Sequence, residues 1–278
     1  MRAANFNLPW LVHGFSTRKG GVSEIYGPGS LNLGVTADDT HANVERNRAL
    51  FAQAIGAVEK KSPWPLVQLK QVHSGVVHRV TGQIHEKLTG DGLITNVPGI
   101  LIGIKTADCI PVLVVDTKRR AVGAFHAGWR GTVARIVEKG IGEMRKFYGS
   151  NPRDIQAAIG PGVHGCCYTV GEELVHAFES QFAYAKELFH EEYDFESLHN
   201  KYPMLFLNQR APGHGEPATK IQLDLVEANR RQLLDAGVVE KNIFAFEDCT
   251  SCDTKRFFSH RAEFGKTGRM LAAIGIKP

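Results

Sequence analysis

The sequence predicts an α+β fold in which mixed β-sheets are covered by helices, and three observations carry this prediction. The middle of the chain consists of short apolar runs separated by tight turns, which is typical of β-strands. Apolar residues recur at helical spacing in several other segments. A strand, a glycine-rich turn and a helix follow one another after residue 121. The chain therefore contains both tight β-hairpins, which join antiparallel strands, and strands connected through a helix. This combination favours sheets of mixed strand direction.

The first predicted helix covers residues 38–57, with Asp39 or Thr40 as its N-cap and Gly56 near its C-terminal end. Before it, residues 14–34 carry glycine too often for a long element, so short strands and loops are expected there. Later strands are expected at residues 66–80, 92–95, 100–105, 110–116, 121–126, 155–159 and 243–246, and later helices at 133–144, 174–182 and 224–236.

An arginine falls within the apolar stripe of the first predicted helix. Val44, Phe51 and Ile55 form this stripe, and Arg48 lies between them at helical spacing. A guanidinium in that position requires a partner. Two alternatives are about equally supported: Arg48 extends to water at the edge of the stripe, or it faces an anionic ligand.

Composition and charge narrow the function classes. The chain has 278 residues, 43% hydrophobic and 22% charged, which excludes a disordered, collagen-like or coiled-coil protein. Its 33 Lys and Arg against 29 Asp and Glu give a net charge of +4, and the basic residues are scattered. A scattered weak excess does not predict nucleic-acid binding, whereas it is compatible with small anionic substrates.

Cysteine use and the lack of long apolar runs predict a cytoplasmic protein. The five cysteines are odd in number and unevenly spaced, unlike the disulfide framework of a small secreted domain, so reduced thiols are expected. No run approaches the roughly 18–20 apolar residues of a membrane span. Because no repeat or linker interrupts the chain, we expect a single domain over residues 1–278. We also expect a monomer, and the lack of long apolar runs predicts no membrane partner.

Three potential metal ligands each follow a predicted strand at a tight polar turn: His73, Cys109 and His126. Two imidazoles and a thiolate suit Zn²⁺, and three protein ligands leave a fourth position open, as in catalytic zinc sites. Their separations in sequence match no zinc-finger spacing. From spacing alone, a structural cysteine and two surface histidines are favoured over a metal site by roughly two to one.

Several motifs, taken together, resemble those of the YfiH/laccase-domain family. They are Lys70-Gln71-Val72-His73, Gly90-Asp91-Gly92-Leu93-Ile94-Thr95, Thr106-Ala107-Asp108-Cys109-Ile110-Pro111, His126-Ala127-Gly128-Trp129-Arg130-Gly131 and Phe257-Phe258-Ser259-His260-Arg261. The resemblance extends over nearly the whole chain, although the charged run at residues 189–200 matches no motif of the family.

This resemblance implies a layered α/β/β/α sandwich with mixed sheets and a metal held by His73, Cys109 and His126. Members of the family have been labelled polyphenol oxidases and are described as zinc-containing purine nucleoside phosphorylases and adenosine deaminases. Zinc is therefore the expected metal, with copper as the alternative. The expected partners are purine nucleosides, namely adenosine, inosine and methylthioadenosine, together with phosphate.

Within this expectation, the sequence offers candidates for each role. Arg48, Arg130 and Arg261 are the cationic candidates for binding phosphate. His73, Cys109 and His126 are expected in catalysis as well as in metal binding, and Asp108 is the candidate proton carrier; its alternative role is to orient a ligand histidine.

Three other functions remain open at this point. In the first, Cys109 is the nucleophile and His126 or His73 the base of an amide hydrolase that acts on peptidoglycan precursors. The second is copper-dependent phenol oxidation, for which the 12 histidines offer no His-x-His pair. The third is a binding module without enzymatic activity.

Overall fold

The computed structural model describes residues 1–82, 88–193 and 219–278. The chain groups into two compact units, the first formed by residues 1–164 and 225–278 and the second by residues 165–224. A single domain over residues 1–278 stays a prediction beside this grouping. Of the run at residues 189–200, only the part up to residue 193 lies within the described residues.

The first unit contains most of the secondary structure. Its strands are β1 (Leu11–Phe15), β2 (Lys19–Ser23), β3 (Val58–Glu59), β4 (Ser62–Pro63), β5 (Leu66–Val67), β6 (Val77–Val80), β7 (Gly92–Thr95), β8 (Leu101–Thr106), β9 (Ile110–Asp116), β10 (Ala121–Ala127), β11 (Ile155–Ile159), β15 (Ile243–Ala245) and β16 (Met270–Ile276). Its helices are α1 (His41–Ile55), α2 (Trp129–Val133), α3 (Ile136–Tyr148) and α5 (Leu225–Asp235).

Two mixed sheets form the centre of this unit. The four-stranded sheet has the order β1-β16-β8-β5, and the six-stranded sheet has the order β15-β11-β9-β10-β7-β6. Most neighbours are antiparallel, whereas β5 with β8, β6 with β7, and β11 with β15 pair in parallel. The prediction of mixed sheets is therefore confirmed.

The layers follow the order α/β/β/α. Apolar side chains of both sheets form one core between them, with Ile102 and Ile274 from one sheet and Leu113 and Val122 from the other. The opposite face of the four-stranded sheet packs against α1, and the opposite face of the six-stranded sheet packs against α3 and α5. Strands buried on both faces have no polar side to expose, which explains why β9 is a continuous apolar run from Ile110 to Val115.

Helix α1 begins and ends where its capping residues predict. The Thr40 side chain accepts a hydrogen bond from the Asn43 backbone N–H, and Gly56 ends the helix with a φ of 83°. The core face contains a polar residue that the apolar stripe did not indicate: Asn47 is fully buried. Its side chain accepts from the Val22 N–H and donates to the Ser23 hydroxyl and the Asn32 carbonyl, so it fixes α1 to β2 and to the segment after it.

The second unit has a sheet and a helix of its own. Its strands β12 (Thr169–Val170), β13 (Phe189–Tyr193) and β14 (Thr219–Leu223) form a sheet of order β12-β14-β13, and α4 covers Glu172–Glu179. Leu174 and Phe178 are the buried residues of α4.

Two segments differ from the sequence predictions. A strand is expected at residues 66–80, but β5 ends at Val67 and β6 begins at Val77, so residues 68–76 form a loop that carries His73. The strand β16, a buried apolar run, was not predicted. Among the described helices, none is both long and apolar enough to cross a bilayer.

Candidate active site

The fold brings His73, Cys109 and His126 together at one edge of the first unit. Cys109 lies in the turn between β8 and β9, and His126 is the second-last residue of β10. Because β9 and β10 are antiparallel neighbours with His126 opposite Pro111, the end of β10 lies beside the start of β9. The three donor atoms all lie within 4.8 Å of one another.

Two of the turns that supply these donors have an unusual backbone. His73 has a φ of 60° and Asp108, directly before Cys109, has a φ of 85°. Left-handed backbone costs a non-glycine residue about 1–2 kcal/mol, so other interactions must hold both turns. Close packing adds a further constraint at Gly128, where a Cβ atom would lie only 2.9 Å from the Cys109 Sγ and from the His73 Cδ2.

Buried carboxylates hold these turns. The Asp108 side chain accepts hydrogen bonds from the Thr250 hydroxyl and from the Arg261 backbone N–H, both at 2.7 Å. Both of its oxygens therefore bind protein groups, neither of them a ligand histidine, and these bonds hold the turn that precedes Cys109. The role of Asp108 as a proton carrier stays a prediction.

Asp91, between β6 and β7, is fully buried beside two of the candidate ligands. Its Oδ1 accepts from the His126 Nδ1–H at 2.9 Å and from the His73 backbone N–H at 3.0 Å. Its Oδ2 accepts from the Ser74 backbone N–H and hydroxyl, at 2.6 and 2.8 Å, and from the Val72 N–H. Burial alone would raise the pKa of this carboxyl, but the hydrogen bonds from His126 and Ser74 lower it below its usual value.

The thiol and the imidazole of this group influence each other. Burial alone would raise the pKa of Cys109, yet the adjacent His126 and His73 imidazoles lower it to about 6. In the same way, burial alone would lower the pKa of His126, while the Cys109 thiolate and the Asp91 carboxylate raise it above its usual value. A thiolate at neutral pH is the form that binds a metal or attacks a carbonyl.

The donor set fits a zinc ion. In a tetrahedral site with Zn–S of about 2.3 Å and Zn–N of about 2.0 Å, a sulfur and a nitrogen ligand lie roughly 3.5 Å apart. The Cys109 Sγ lies 3.7 Å from the His73 Nε2. The Asp91 carboxylate accepts from the Nδ1–H of His126, so the Nε2 of this imidazole keeps its lone pair for a metal.

The three donors line a cavity of about 680 Å³ that is rich in positive charge. Four cationic side chains contribute to the wall, and none of the described lining residues is acidic. The lining side chains with chemical function are His41, Arg48, Gln68, Lys70, Gln71, His73, Lys105, Thr106, Cys109, His126, His260 and Arg269.

Backbone carbonyls anchor the cationic side chains of the wall. Arg48 donates from Nε to the Leu33 carbonyl and from Nη1 to Glu45 at 2.6 Å, which leaves its Nη2 without a protein acceptor among the described residues. Arg269 donates to the carbonyls of Thr267 and Gly268, and Lys105 donates to the carbonyl of Leu69. The carbonyl partners of Arg269 orient this cation without neutralising its charge, whereas Arg48 is also ion-paired with Glu45.

The three arginines predicted to bind phosphate do not all lie at the cavity. Arg48 lines the cavity, whereas Arg130 and Arg261 are not among its described lining residues. The Arg130 guanidinium lies over the Trp129 ring, 4.4 Å from its centroid. Arg261 contributes through its backbone N–H to Asp108.

Sequence reasoning missed Lys105, Arg269, His41 and His260 as cavity residues. One signal was present in the sequence: Lys105 is the charged residue near the end of the otherwise apolar β8. His260 and Arg269 lie far along the chain in segments without a periodic pattern, so their approach to the cavity depends on the fold.

Comparison with known proteins extends over almost the entire chain. The sequence model of the family described as "multi-copper polyphenol oxidoreductase laccase" matches residues 12–277. The purine nucleoside phosphorylase YlmD of Bacillus subtilis (strain 168) is 33% identical over 98% of this chain and 91% of that protein. The adenosine deaminase RL5 of an unknown prokaryotic organism is 33% identical over 95% of this chain and 93% of that protein.

The fold has a close counterpart among solved structures. The hypothetical protein YfiH of Bacillus licheniformis superimposes with a TM-score of 0.79 at 31% identity, over 96% of this chain and 93% of that one.

Proposed function

The chain belongs to the family described as multi-copper polyphenol oxidoreductase laccase, which includes the YfiH and YlmD proteins, and on this premise we propose that it is a zinc-dependent purine nucleoside phosphorylase. Its proposed substrates are adenosine, inosine and methylthioadenosine, and it also deaminates adenosine. One observation carries the proposal: a thiolate-and-imidazole donor group shares a cavity with four cationic side chains and no described acidic residue.

Phosphorolysis requires an anion site next to the sugar. A phosphate oxygen attacks C1′, the bond from C1′ to the purine nitrogen breaks, and the purine leaves with the bonding electrons. Arg48, Lys105 and Arg269 face the same cavity and bind the phosphate oxygens in this proposal. Because Nη2 of Arg48 has no protein acceptor among the described residues, it is available to the phosphate without breaking an existing bond.

The leaving purine requires a proton or another positive partner. His41 and His260 are exposed and line the cavity, and an imidazole can hold and pass a proton near neutral pH. In this proposal one of these two side chains supplies the proton to the purine, in place of Asp108, whose oxygens already accept two hydrogen bonds.

His73, Cys109 and His126 hold the zinc ion in this proposal. When bound there, zinc supplies a Lewis acid with an open coordination position, which suits displacement at C1′ by phosphate and displacement at C6 by water alike. The protein contributes the orientation of the ligands through Asp91 and the exclusion of competing carboxylates from the described wall.

A second function is favoured by a specific geometry. Cys109, His126 and Asp91 form a chain in which an activated thiol lies beside an imidazole that donates to a buried carboxylate. Such an arrangement also suits a thiol nucleophile of an amide hydrolase acting on peptidoglycan precursors. Metal content distinguishes the two, because a metal-bound thiolate is not free to attack an amide.

Product analysis tests the proposal. Metal-replete protein is incubated with adenosine, with and without phosphate, and the products are separated by chromatography. We expect adenine only when phosphate is present. We expect inosine without phosphate, and inosine together with its phosphorolysis product hypoxanthine when phosphate is present. The absence of free purine in the presence of phosphate, from protein that contains zinc, would contradict the proposed function. An active protein that contains copper in place of zinc would restore the copper alternative.

A further inference from the structure

We propose that Asp91 is a positioning residue that fixes two of the three candidate metal ligands at once and thereby sets the metal affinity of the site. The proposal rests on the metal assignment of the proposed function, but not on any particular substrate. It concerns a residue whose motif was visible in the sequence, Gly90-Asp91-Gly92, while its role was not.

One oxygen of Asp91 connects the two histidines. Oδ1 accepts both the Nδ1–H of the His126 ring and the backbone N–H of His73, at 2.9 and 3.0 Å. The first bond orients an imidazole directly, and the second fixes the backbone from which the other imidazole extends. The separation between the two ligand residues therefore depends on a single carboxylate oxygen.

The other oxygen stabilises the strained turn that carries His73. Oδ2 binds the Ser74 N–H and hydroxyl as well as the Val72 N–H. His73, with its left-handed φ of 60°, thus lies between two residues whose backbone N–H groups bind the same carboxylate. The backbone carbonyl of Asp91 also accepts the His126 N–H, at an N···O distance of 2.8 Å, which ties the end of β10 to this position.

Two other buried carboxylates lack this arrangement. Asp116, at the opposite end of β9 from Cys109, accepts from the backbone N–H groups of Lys118 and Arg119 and so closes a turn. Asp108 binds Thr250 and Arg261. Of these three carboxylates, Asp91 is the one that contacts the ring of a candidate ligand, which argues for a role beyond folding.

The carboxylate also selects the tautomer of His126. An acceptor at Nδ1 places the ring proton on that nitrogen and leaves the Nε2 lone pair for the metal. In Asp91→Asn, an amide nitrogen at the Oδ1 position would donate to Nδ1 and move the proton of the neutral ring to Nε2. If the amide oxygen occupied the Oδ1 position instead, the amide nitrogen would occupy the Oδ2 position. It would then face the N–H groups of Val72 and Ser74, which are donors and cannot accept from it. Either orientation weakens the site.

The test measures metal affinity, which needs no substrate. Zinc affinity is determined by competition with a chromophoric chelator for wild type, Asp91→Asn and the control Asp116→Asn, which also removes a buried carboxylate. We expect Asp91→Asn to lose zinc affinity by about 100-fold, the upper end of the effect of such outer partners, and Asp116→Asn to keep it. The visible spectrum of Co²⁺-loaded protein should also change for Asp91→Asn, because ligand orientation changes with it.

A folded Asp91→Asn protein with wild-type zinc affinity and an unchanged Co²⁺ spectrum overturns the proposal. If Asp91→Asn fails to fold, Ser74→Ala decides, since it removes the hydroxyl bond to Oδ2 at 2.8 Å together with the longer bond, at 3.2 Å, that this hydroxyl accepts from the Val76 N–H. A several-fold loss of zinc affinity supports the proposal and an unchanged affinity overturns it. These outcomes do not depend on phosphorolysis. A protein whose zinc affinity depends on Asp91 but that releases no purine would contradict the proposed function alone.

Discussion

The two ends of the cavity are built differently. At the donor end, His126 and Asp91 are buried while His73 is exposed, and the turns that carry His73 and Cys109 are held by hydrogen bonds to buried carboxylates. At the cationic end, Arg48, Lys105 and Arg269 are half-buried and donate to backbone carbonyls, and Arg48 also pairs with Glu45. This difference indicates that the donor end is set before any ligand arrives, whereas the cationic end can adjust to an anion.

The largest effect is expected from removing a donor. Cys109→Ala or His126→Ala leaves two protein ligands, so we expect each variant to lose the roughly one zinc ion per chain that wild type should carry, and activity to fall by about 10³-fold or more. Elemental analysis of protein purified without added metal checks the first part. Full zinc content in both variants would show that the ligand assignment is wrong.

A smaller and more selective effect is expected at the cationic end. Arg48→Ala should raise the KM for phosphate and slow phosphorolysis by roughly 10²-fold, while zinc binding and deamination are kept. The matched control is Lys118→Ala, which removes an exposed positive charge from the turn between β9 and β10. Steady-state kinetics at varied phosphate, beside a thermal melt, measure both consequences.

The hydrogen-bond partners of Arg48 also indicate how its replacement should affect stability. Its bond to Glu45 is an ion pair within α1 in which the Glu45 side chain is exposed, and surface pairs of this kind on a helix contribute only about 0.3–0.5 kcal/mol to stability. We therefore expect little change in Tm. Unchanged phosphate dependence together with a large fall in Tm would identify Arg48 as a structural residue.

The ionisation of the Cys109 thiol tests the contacts at the donor end. Because the neighbouring imidazoles lower the pKa of Cys109 to about 6, the thiol of metal-free protein is ionised above that pH. Alkylation of Cys109 by iodoacetamide should rise with pH to a midpoint near 6. Mass spectrometry of the modified peptide follows the reaction, and Cys109→Ser provides the background. A midpoint near the ordinary value of about 8.5 would contradict the described contacts.

The smallest effect is expected at Gln68. This residue lines the cavity, and its buried Nε2 has no hydrogen-bond partner among the described residues. A bound nucleoside offers acceptors, so Gln68→Leu should raise the nucleoside KM by about 10-fold, the value of one hydrogen bond to a neutral group. The phosphate KM should stay constant. The side-chain amide of Gln71 already exchanges two hydrogen bonds with the Lys105 backbone. We therefore do not expect Gln71 to bind the nucleoside as Gln68 does.

Local patterns predicted much of the fold. The caps of α1 lie within the chain segment that forms the helix, and the apolar runs of β7, β9 and β11 coincide with strands at the predicted bounds. The loop at residues 68–76 was not predicted because its backbone is held by Asp91, which lies outside that segment. No local propensity encodes a carboxylate supplied from elsewhere in the chain.

The same distinction applies to the candidate site. His73, Cys109 and His126 were selected because each follows a predicted strand, and family resemblance resolved what spacing left open. Asp91, Lys105 and Arg269 acquire their position only when separate strands and loops meet. Tertiary contacts of this kind leave no periodic signal in the sequence.

In the proposed reaction, a metal at the donor end and the cations at the other end act on the same substrates. The most direct test is adenine release from adenosine at saturating phosphate by wild-type protein as purified, after removal of zinc, and after zinc is restored. We expect adenine release to be lost on removal and to return as about one zinc ion per chain rebinds. Undiminished adenine release from the zinc-free protein would contradict this shared role.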